Sequence, residues 1–224
     1  MTRWLVAAVL AAVPAARSLV LAQSKTLEQG AHRMEITLER LEKTGWHAID
    51  PGLVLSQGDR VRFRFHTNFN GFLYVTNYSS SGKYEQLFPR TETGENNQIA
   101  ARREYQVPAT SSVFKIAGPA GYETVYWLVS PTRLTAPAAT PASKPLALSP
   151  RCDDAILKAR GDCIDSSAGL KLIPREADLP QDLAQAADDS RRELLFLRQE
   201  NRAVIASPEP LTGPVVYEFR LAHR

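Results

Sequence analysis

The run from Gly58 to Pro89 constrains the fold of this chain more than any other segment. Within Arg60–His66 the residues alternate strictly, so that Val61, Phe63 and Phe65 face one side and the basic residues face the other. Two further β-branched and aromatic runs follow between polar turns, at Phe72–Tyr78 and Tyr84–Phe88. Three consecutive antiparallel strands with their turns indicate a β-rich domain.

Strand patterns also occur on both sides of this run. Met34–Leu41 fits neither a strand nor a helix period cleanly, and we interpret it as a strand because it leads into the β domain. Tyr122–Val129 is apolar on both faces, which suits a central strand covered on two sides. Pro214–Arg224 alternates cleanly, and we expect it to return to the first sheet because its apolar face needs a partner. Short strands with regular turns predict a mainly β protein, an Ig-like antiparallel β-sandwich.

Residues 131–212 are expected to form an excursion from this sandwich. Leu134–Pro150 is a Pro/Ala/Ser tract with almost no charge, which indicates a linker or long loop. In Leu183–Asn201 the apolar residues fit a helical face better than alternation, so one amphipathic helix is predicted. Its apolar face could dock a partner protein or pack on the sandwich. The predicted organisation is a signal peptide at 1–22, a β-sandwich at 23–130, an insertion at 131–212 and a closing strand at 213–224.

The first residues have the pattern of a secretory signal peptide. Arg3 precedes an apolar stretch from Trp4 to Val13, and a small-residue segment ends at Ala22, where we expect cleavage. The alternative is a membrane anchor, but the stretch is about half of the roughly 20 residues that a spanning helix needs. We therefore expect export to the periplasm or the cell surface, with no stable membrane anchor after cleavage.

The charge balance argues against a nucleic-acid partner. Loss of residues 1–22 removes Arg3 and Arg17, so that 27 basic residues become 25 against 24 acidic ones, a net charge of +1. A nucleic-acid-binding protein normally has a strong basic excess or a recognisable reading motif. An envelope polymer or a partner protein is the expected partner class, and the pattern leaves the oligomeric state open.

Cys152 and Cys163 are the two cysteines of the chain. In an oxidising compartment they are expected to pair. The alternative is a redox or zinc pair, which would need a CxxC spacing or further ligands that the sequence does not offer. We predict a disulfide loop within the insertion.

A GFLYV run at 71–75, an LFP run at 87–89 and a GPAG turn at 118–121 stand in an order that resembles a bacterial family, domain of unknown function 4384. The resemblance covers about residues 33–130, and the terminal VVYEFRL looks like the closing strand of the same module. It implies an exported Ig-like β-sandwich, and it implies no reaction because none is assigned to the family. In this chain the module stands almost alone and carries a long excursion.

The basic residues of the first clear strand form a candidate site for an anionic ligand, here called the basic stripe. They are Arg60, Arg62, Arg64 and His66. Neighbours on one face of a strand are about 7 Å apart, so the stripe could meet an anionic envelope polymer such as a phosphate-bearing or uronic glycan. The alternative is a solvated face whose charges pair with acids on adjacent strands.

Aromatic residues form a second candidate site, here called the aromatic platform. Aromatic rings that share a sheet face could stack on sugars, whereas cross-strand aromatic pairs more often simply stabilise a sandwich. The candidates are Tyr74, Tyr78, Tyr84, Tyr126 and Trp127.

No metal or other cofactor is predicted. Four aspartates crowd into the disulfide loop, and oxygen ligands at that density could hold Ca²⁺. They are Asp153, Asp154, Asp162 and Asp165. Their spacing does not match a DxDxDG loop, and nearby basic residues already offset their charge.

The sequence contains no catalytic motif. A nucleophile elbow, an H-E-x-x-H motif, a phosphate-binding glycine loop and a free cysteine are all missing, and the four histidines are scattered. Glu85 and Glu123 could in principle hydrolyse a glycoside, but nothing in the sequence places them together, and surface ion pairing is the alternative. We expect a non-enzymatic module for binding or structural support in the bacterial cell envelope. The alternative is a carbohydrate-binding or hydrolytic envelope protein, which a pocket holding two carboxylates would distinguish.

Overall fold

Thirteen β-strands and two short helices form the part of the chain that this computed structural model describes, namely residues 32–135, 148–171, 173, 179–186, 195–199 and 201–224. The predicted signal peptide at 1–22 and most of the predicted linker lie outside the described residues. The strands are β1 His32–Glu42, β2 Gly45–Ala48, β3 Arg60–Thr67, β4 Gly71–Tyr78, β5 Tyr84–Phe88, β6 Gln98–Ile99, β7 Glu104–Val107, β8 Phe114–Lys115, β9 Gly121–Ser130, β10 Gly169–Lys171, β11 Leu195–Gln199, β12 Arg202–Ser207 and β13 Val215–His223. The helices are α1 Asp154–Arg160 and α2 Gln181–Ala186.

The strands form two antiparallel sheets that face each other. Sheet I has the order β11-β12-β1-β3-β7, with β2 beside β1 and β8 beside β3. Sheet II has the order β10-β13-β9-β4-β5, with β6 beside β4. The predicted closing strand is β13, which pairs with β9 from Val215 opposite Val129 to His223 opposite Gly121. The predicted mainly β sandwich is confirmed, and β9 is a central strand between β13 and β4.

Strand alternation decides which side chains fill the space between the sheets. In β3, Val61, Phe63 and Phe65 are buried, while the basic residues between them are more exposed. Trp127 of β9 meets Phe63 edge to face, with ring centroids 5.3 Å apart. Phe219 of β13 meets the same phenylalanine at 5.3 Å. Large aromatic side chains from both sheets therefore interlock at the centre, where burial of their apolar area stabilises the sandwich.

A second apolar layer covers the outer face of sheet II. Leu179 and Leu183, just before and within α2, pack on the outward side chains of β4 and β9. Those outward side chains are Tyr74, Tyr78, Tyr126 and Leu128. Leu183 is almost fully buried there. The apolar face of this helix therefore packs on the sandwich itself.

The prediction of one helix over Leu183–Asn201 is wrong. Helix α2 is six residues long, and Leu195–Gln199 and Arg202–Ser207 form the strands β11 and β12. Strand β12 pairs with β1, with Val204 opposite Glu35. Periodicity cannot assign so short a run, and β11 takes from β12 its backbone partners, which exist only in the folded sheet. Part of the expected excursion therefore belongs to sheet I.

The predicted disulfide between Cys152 and Cys163 is confirmed. Helix α1 lies inside the loop that the disulfide closes. The Asp153 carboxylate caps this helix by accepting hydrogen bonds from the backbone N–H groups of Ala155 and Ile156. With α2, the described part of the insertion contains two short helices where one was predicted. No helix within the described ranges is long and apolar enough to cross a membrane.

Candidate functional site

A cleft of about 520 Å³ opens between the two sheets along one side of the sandwich. On that side β5 is the last strand of sheet II, and β8 lies beside β3 in sheet I. Residues 112–118 form one wall, and residues of the β4–β5 hairpin form much of the other. The apolar side chains that line the cleft include Phe63, Leu87, Phe114, Ile116, Val125 and Leu221. A volume of this size is typical of small-molecule sites.

Polar side chains occupy core-facing positions at this end of sheet II. Strand alternation turns Asn77 of β4 to the same side as the buried Val75. The same parity carries Glu123 of β9 and His223 of β13 to the inner face, and Glu85 of β5 lies opposite Asn77. We call Glu85, Asn77, Glu123 and His223 the inner polar row. It stands where apolar core residues would be expected.

Glu123 makes several hydrogen bonds within this row and its turn. Its Oε1 accepts hydrogen bonds from the backbone N–H and the hydroxyl of Ser80, each at 3.2 Å, and lies 3.2 Å from Nε2 of His223. Its Oε2 accepts a hydrogen bond from Nδ2 of Asn77 at 2.7 Å. Burial by itself raises the pKa of this carboxyl, but the hydrogen bonds from His223, Asn77 and Ser80 outweigh it and hold the pKa of Glu123 below its ordinary value. Glu123 is therefore a fixed carboxylate.

Two polar atoms of the row have no hydrogen-bond partner within the described part of the chain, and both are buried. They are Oδ1 of Asn77 and Nδ1 of His223. Asn77 is 8% exposed and lines the cleft, whereas His223 is 0% exposed. A buried polar atom without a partner costs about 1 to 3 kcal/mol. The inner polar row therefore lowers the stability of the sandwich at this end.

Charged side chains at the mouth of the cleft pair with one another. Nζ of Lys83 lies 2.7 Å from Oε2 of Glu85, and Nε of Arg90 lies 2.7 Å from Oε2 of Glu92. Arg90 also reaches Glu85, at 3.8 Å. Lys115 on the opposite wall is exposed and adds one positive charge. Exposed pairs of this kind contribute about 1 kcal/mol or less, so they mainly set the charge pattern of the mouth.

The cleft brings together Glu85 and Glu123, which the sequence alone could not place near each other. A glycoside hydrolase needs one carboxyl group that keeps its proton at the working pH and one that is ionised. The lowered pKa of Glu123 suits only the ionised role, and Glu85 is engaged with Lys83 and Arg90. This arrangement is better fitted to accept hydrogen bonds from a ligand than to protonate one.

The basic stripe lies on the outer face of sheet I, where neighbouring strands supply acids. The Nε atoms of Arg62 and Arg64 lie 2.7 and 3.1 Å from the two carboxylate oxygens of Glu39 in β1. Nε2 of His66 lies 3.5 Å from Oε2 of Glu35. Arg62 and Arg64 are thus engaged in ion pairs, which matches the alternative of a solvated face with paired charges.

Arg60 differs from the other members of the stripe. It is exposed and lies opposite Lys115 of β8, so it faces a like charge rather than an acid in the sheet register. It therefore serves as a reference position for the paired arginines.

The double substitution Arg62→Ser with Arg64→Ser is expected to leave retention on outer-membrane and cell-wall material unchanged, because Glu39 already holds both guanidinium groups. It should cost about 3 kcal/mol of stability, since it leaves the buried Glu39 carboxylate without its cations. A pelleting assay and a thermal melt measure the two effects, with Arg60→Ser as the control. Lost retention with an unchanged melting temperature would show instead that the stripe binds a polymer.

The predicted aromatic platform is divided between the two faces of sheet II, and this part of the prediction is wrong. Trp127 is 0% exposed and packs between the sheets, while its neighbour Tyr126 points to the outer face. Tyr74 and Tyr126 are buried beneath the segment that contains α2. Tyr84 is half-buried, its hydroxyl donates to Oδ2 of Asp182 at 3.0 Å, and burial raises its pKa. Adjacent residues of a strand face opposite sides, so the five rings cannot share one surface.

Two of the four aspartates at the disulfide loop have structural partners. Asp153 caps α1, and Asp165 accepts hydrogen bonds from the hydroxyl of Tyr122 at 2.6 Å and the backbone N–H of Arg151 at 2.8 Å. In the ranges that the structure describes, no three His, Cys, Asp or Glu side chains are arranged to hold a metal ion. The oxygens of Asp153 and Asp165 are therefore used to hold the loop itself.

The residues of the candidate site that the sequence analysis did not single out are Asn77 and His223. Their signal was present in the strand parity, because each occupies the inward position next after a buried apolar residue, Val75 and Leu221 respectively. A polar residue at a core-facing position is informative. These residues form a site only because the strand register brings the ends of β4, β9 and β13 together.

Two stacked antiparallel sheets with a polar-ended cleft between them define this molecule as a β-sandwich protein. Residues 54–133 match the family model of Domain of unknown function (DUF4384), which confirms the resemblance over that region. The match includes Asn77, Glu85 and Glu123 of the inner polar row and excludes His223. No curated protein and no solved structure matches the chain.

Proposed function

We propose that this protein is an exported module of the bacterial cell envelope that binds a small ligand in the cleft between its sheets, without catalysing a reaction. The observation that carries the proposal is the inner polar row at core-facing positions of sheet II. Polar groups in a core lower stability unless they are fully paired, and such departures from the folding rules concentrate at functional sites. The cleft is also concave, and its lining combines apolar side chains with convergent polar groups, as ligand sites do.

Hydrolysis of a glycan is the second candidate function, because Glu85 and Glu123 line the same cleft. Binding without reaction is preferred because the pKa of Glu123 is lowered and Glu85 is engaged in ion pairs with Lys83 and Arg90. Release of reducing ends from purified cell-wall glycan, lost in both Glu85→Gln and Glu123→Gln, would favour hydrolysis.

Occlusion of the cleft tests the binding proposal. Small molecules extracted from the envelope are expected to shift amide signals of cleft residues in the ¹⁵N-labelled protein. Ala117→Trp should abolish those shifts, because Ala117 is exposed and lines the cleft. Ala120→Trp is the matched control, since Ala120 is also an exposed alanine, three residues further along the chain, but lies outside the cleft lining. Shifts that survive Ala117→Trp, or none at all in the unaltered protein, contradict the proposal.

Export is tested separately. Expressed in a Gram-negative bacterium, the full chain is expected in the periplasmic or extracellular fraction, shortened at its N-terminus and with Cys152 and Cys163 oxidised. A variant lacking residues 2–22 is expected in the cytoplasm. Fractionation followed by intact-mass measurement decides between these results, and full-length protein in the membrane fraction would support an anchor instead.

A further inference from the structure

The inner polar row presents hydrogen-bond acceptors to the cleft. Comparing the hydrogen bonds that each acceptor atom makes with the number it can accept shows which atoms could still bind a donor. Oε1 of Glu123 is occupied by Ser80 and His223, whereas Oε2 accepts one hydrogen bond from the described residues, that of Nδ2 of Asn77. A carboxylate oxygen can accept two. Oδ1 of the same Asn77 has no partner among the described residues and is more than nine-tenths buried. Two neighbouring side chains of the cleft therefore have unused acceptor capacity.

The negative charge of Glu123 decides which kind of hydrogen-bond donor on a ligand would bind here. Glu123 is an ionised carboxylate at neutral pH, and Asn77 uses its donor to hold Glu123 in place. An anion would meet a fixed negative charge there. A primary ammonium brings three N–H donors and a positive charge, so it can satisfy Oε2 and Oδ1 together. Hydrogen bonds between a cation and a carboxylate are about twice as strong as neutral ones.

The remaining charges of the cleft do not cancel the preference for a cationic donor. Lys83 and Arg90 are paired with the acids Glu85 and Glu92 at the mouth. Lys115 is exposed, so water and salt screen it. Apolar side chains such as Leu87 and Phe114 also line the cleft, and they suit an aliphatic stem.

We propose that the cleft binds a primary ammonium group on an aliphatic stem, with Glu123 Oε2 and Asn77 Oδ1 as its acceptors. This inference rests on the proposed function of the cleft as a ligand site. The same chemistry occurs in free alkyl amines and in the lysine-type side chain of a peptide. The two sources differ in whether a peptide backbone must also fit at the mouth.

The test uses the full chain and calorimetric titration at pH 7 with butylammonium, 1,5-diaminopentane and Nα-acetyl-lysine amide, each compared with neutral N-butylacetamide. At least one ammonium probe should bind at least tenfold more tightly than N-butylacetamide. Binding of the lysine derivative points to peptides, and binding of the alkyl amines alone points to free amines. Glu123→Gln and Asn77→Ala should each weaken binding at least tenfold, while Glu95→Gln, an exposed glutamate outside the cleft, should not change it.

Chemical shifts keep the test decisive if a variant folds poorly. In the unaltered ¹⁵N-labelled protein, ammonium probes should move the side-chain amide signals of Asn77. If no ammonium probe does so while envelope compounds still shift cleft residues, the ammonium assignment is overturned and the binding function stands. If neither kind of molecule shifts them, both are overturned.

Discussion

Trp127→Ala is expected to lower the free energy of unfolding by about 3 to 5 kcal/mol, the usual cost of truncating a fully buried large aromatic side chain. Trp127 is 0% exposed, and its indole lies within 5.5 Å of the rings of Phe63 and Phe65, measured between centroids. The change removes a side chain that joins the two sheets. For a protein of this size, the melting temperature should fall by roughly 10 °C.

Two further substitutions test whether the loss of stability comes from the central position of Trp127. Trp46→Ala should cost about 1 kcal/mol or less, because Trp46 is half-buried beneath the guanidinium of Arg62, 4.3 Å from its ring centroid. Trp127→Phe should keep most of the stability, since it keeps an aromatic ring at this position and removes an Nε1–H that is buried without a partner among the described residues. Equal losses for Trp127→Ala and Trp46→Ala in chemical denaturation would contradict the central position of Trp127.

Glu123→Gln is expected to destabilise the protein by about 2 kcal/mol at neutral pH, the order of magnitude for hydrogen bonds to a charged group. The difference from the unaltered protein should depend on pH. The pKa of Glu123 is lower in the folded protein than its ordinary 4.5, so its contribution is present above pH 4.5 and is lost as the pH falls through the folded pKa. Gln does not titrate, so the two stability curves should converge in acid.

Urea denaturation from pH 7 down to pH 3 measures this convergence. Glu95→Gln is the matched control, because Glu95 is exposed, and its curve should run parallel to that of the unaltered protein throughout. His223 faces Glu123 from β13, so the series should be repeated with His223→Gln to separate the two groups. A stability gap for Glu123→Gln that stays constant down to pH 3 would sink the idea of a fixed carboxylate.

The sandwich could be predicted from local pattern because alternation is written directly into the chain. Val61, Phe63 and Phe65 are buried as their parity requires, and the apolar residues on the inner face of β13 are likewise buried, although the sequence did not name β9 as its partner strand. The helix expected at 183–201 failed because a short apolar run takes its structure from its neighbour. There the neighbour of β11 is β12, which pairs in turn with β1.

The candidate site, unlike the sandwich, could not be predicted from local pattern alone. The sequence by itself determined that Asn77, Glu123 and His223 share the parity of core residues, and that Cys152 and Cys163 would pair. Only the tertiary structure decided that the three polar residues meet at one end of sheet II, because register between β4, β9 and β13 depends on pairings across about 50 to 100 residues of chain. It also decided that Tyr126 and Trp127 serve two separate cores, since a sheet buried on both faces sends adjacent residues to different partners.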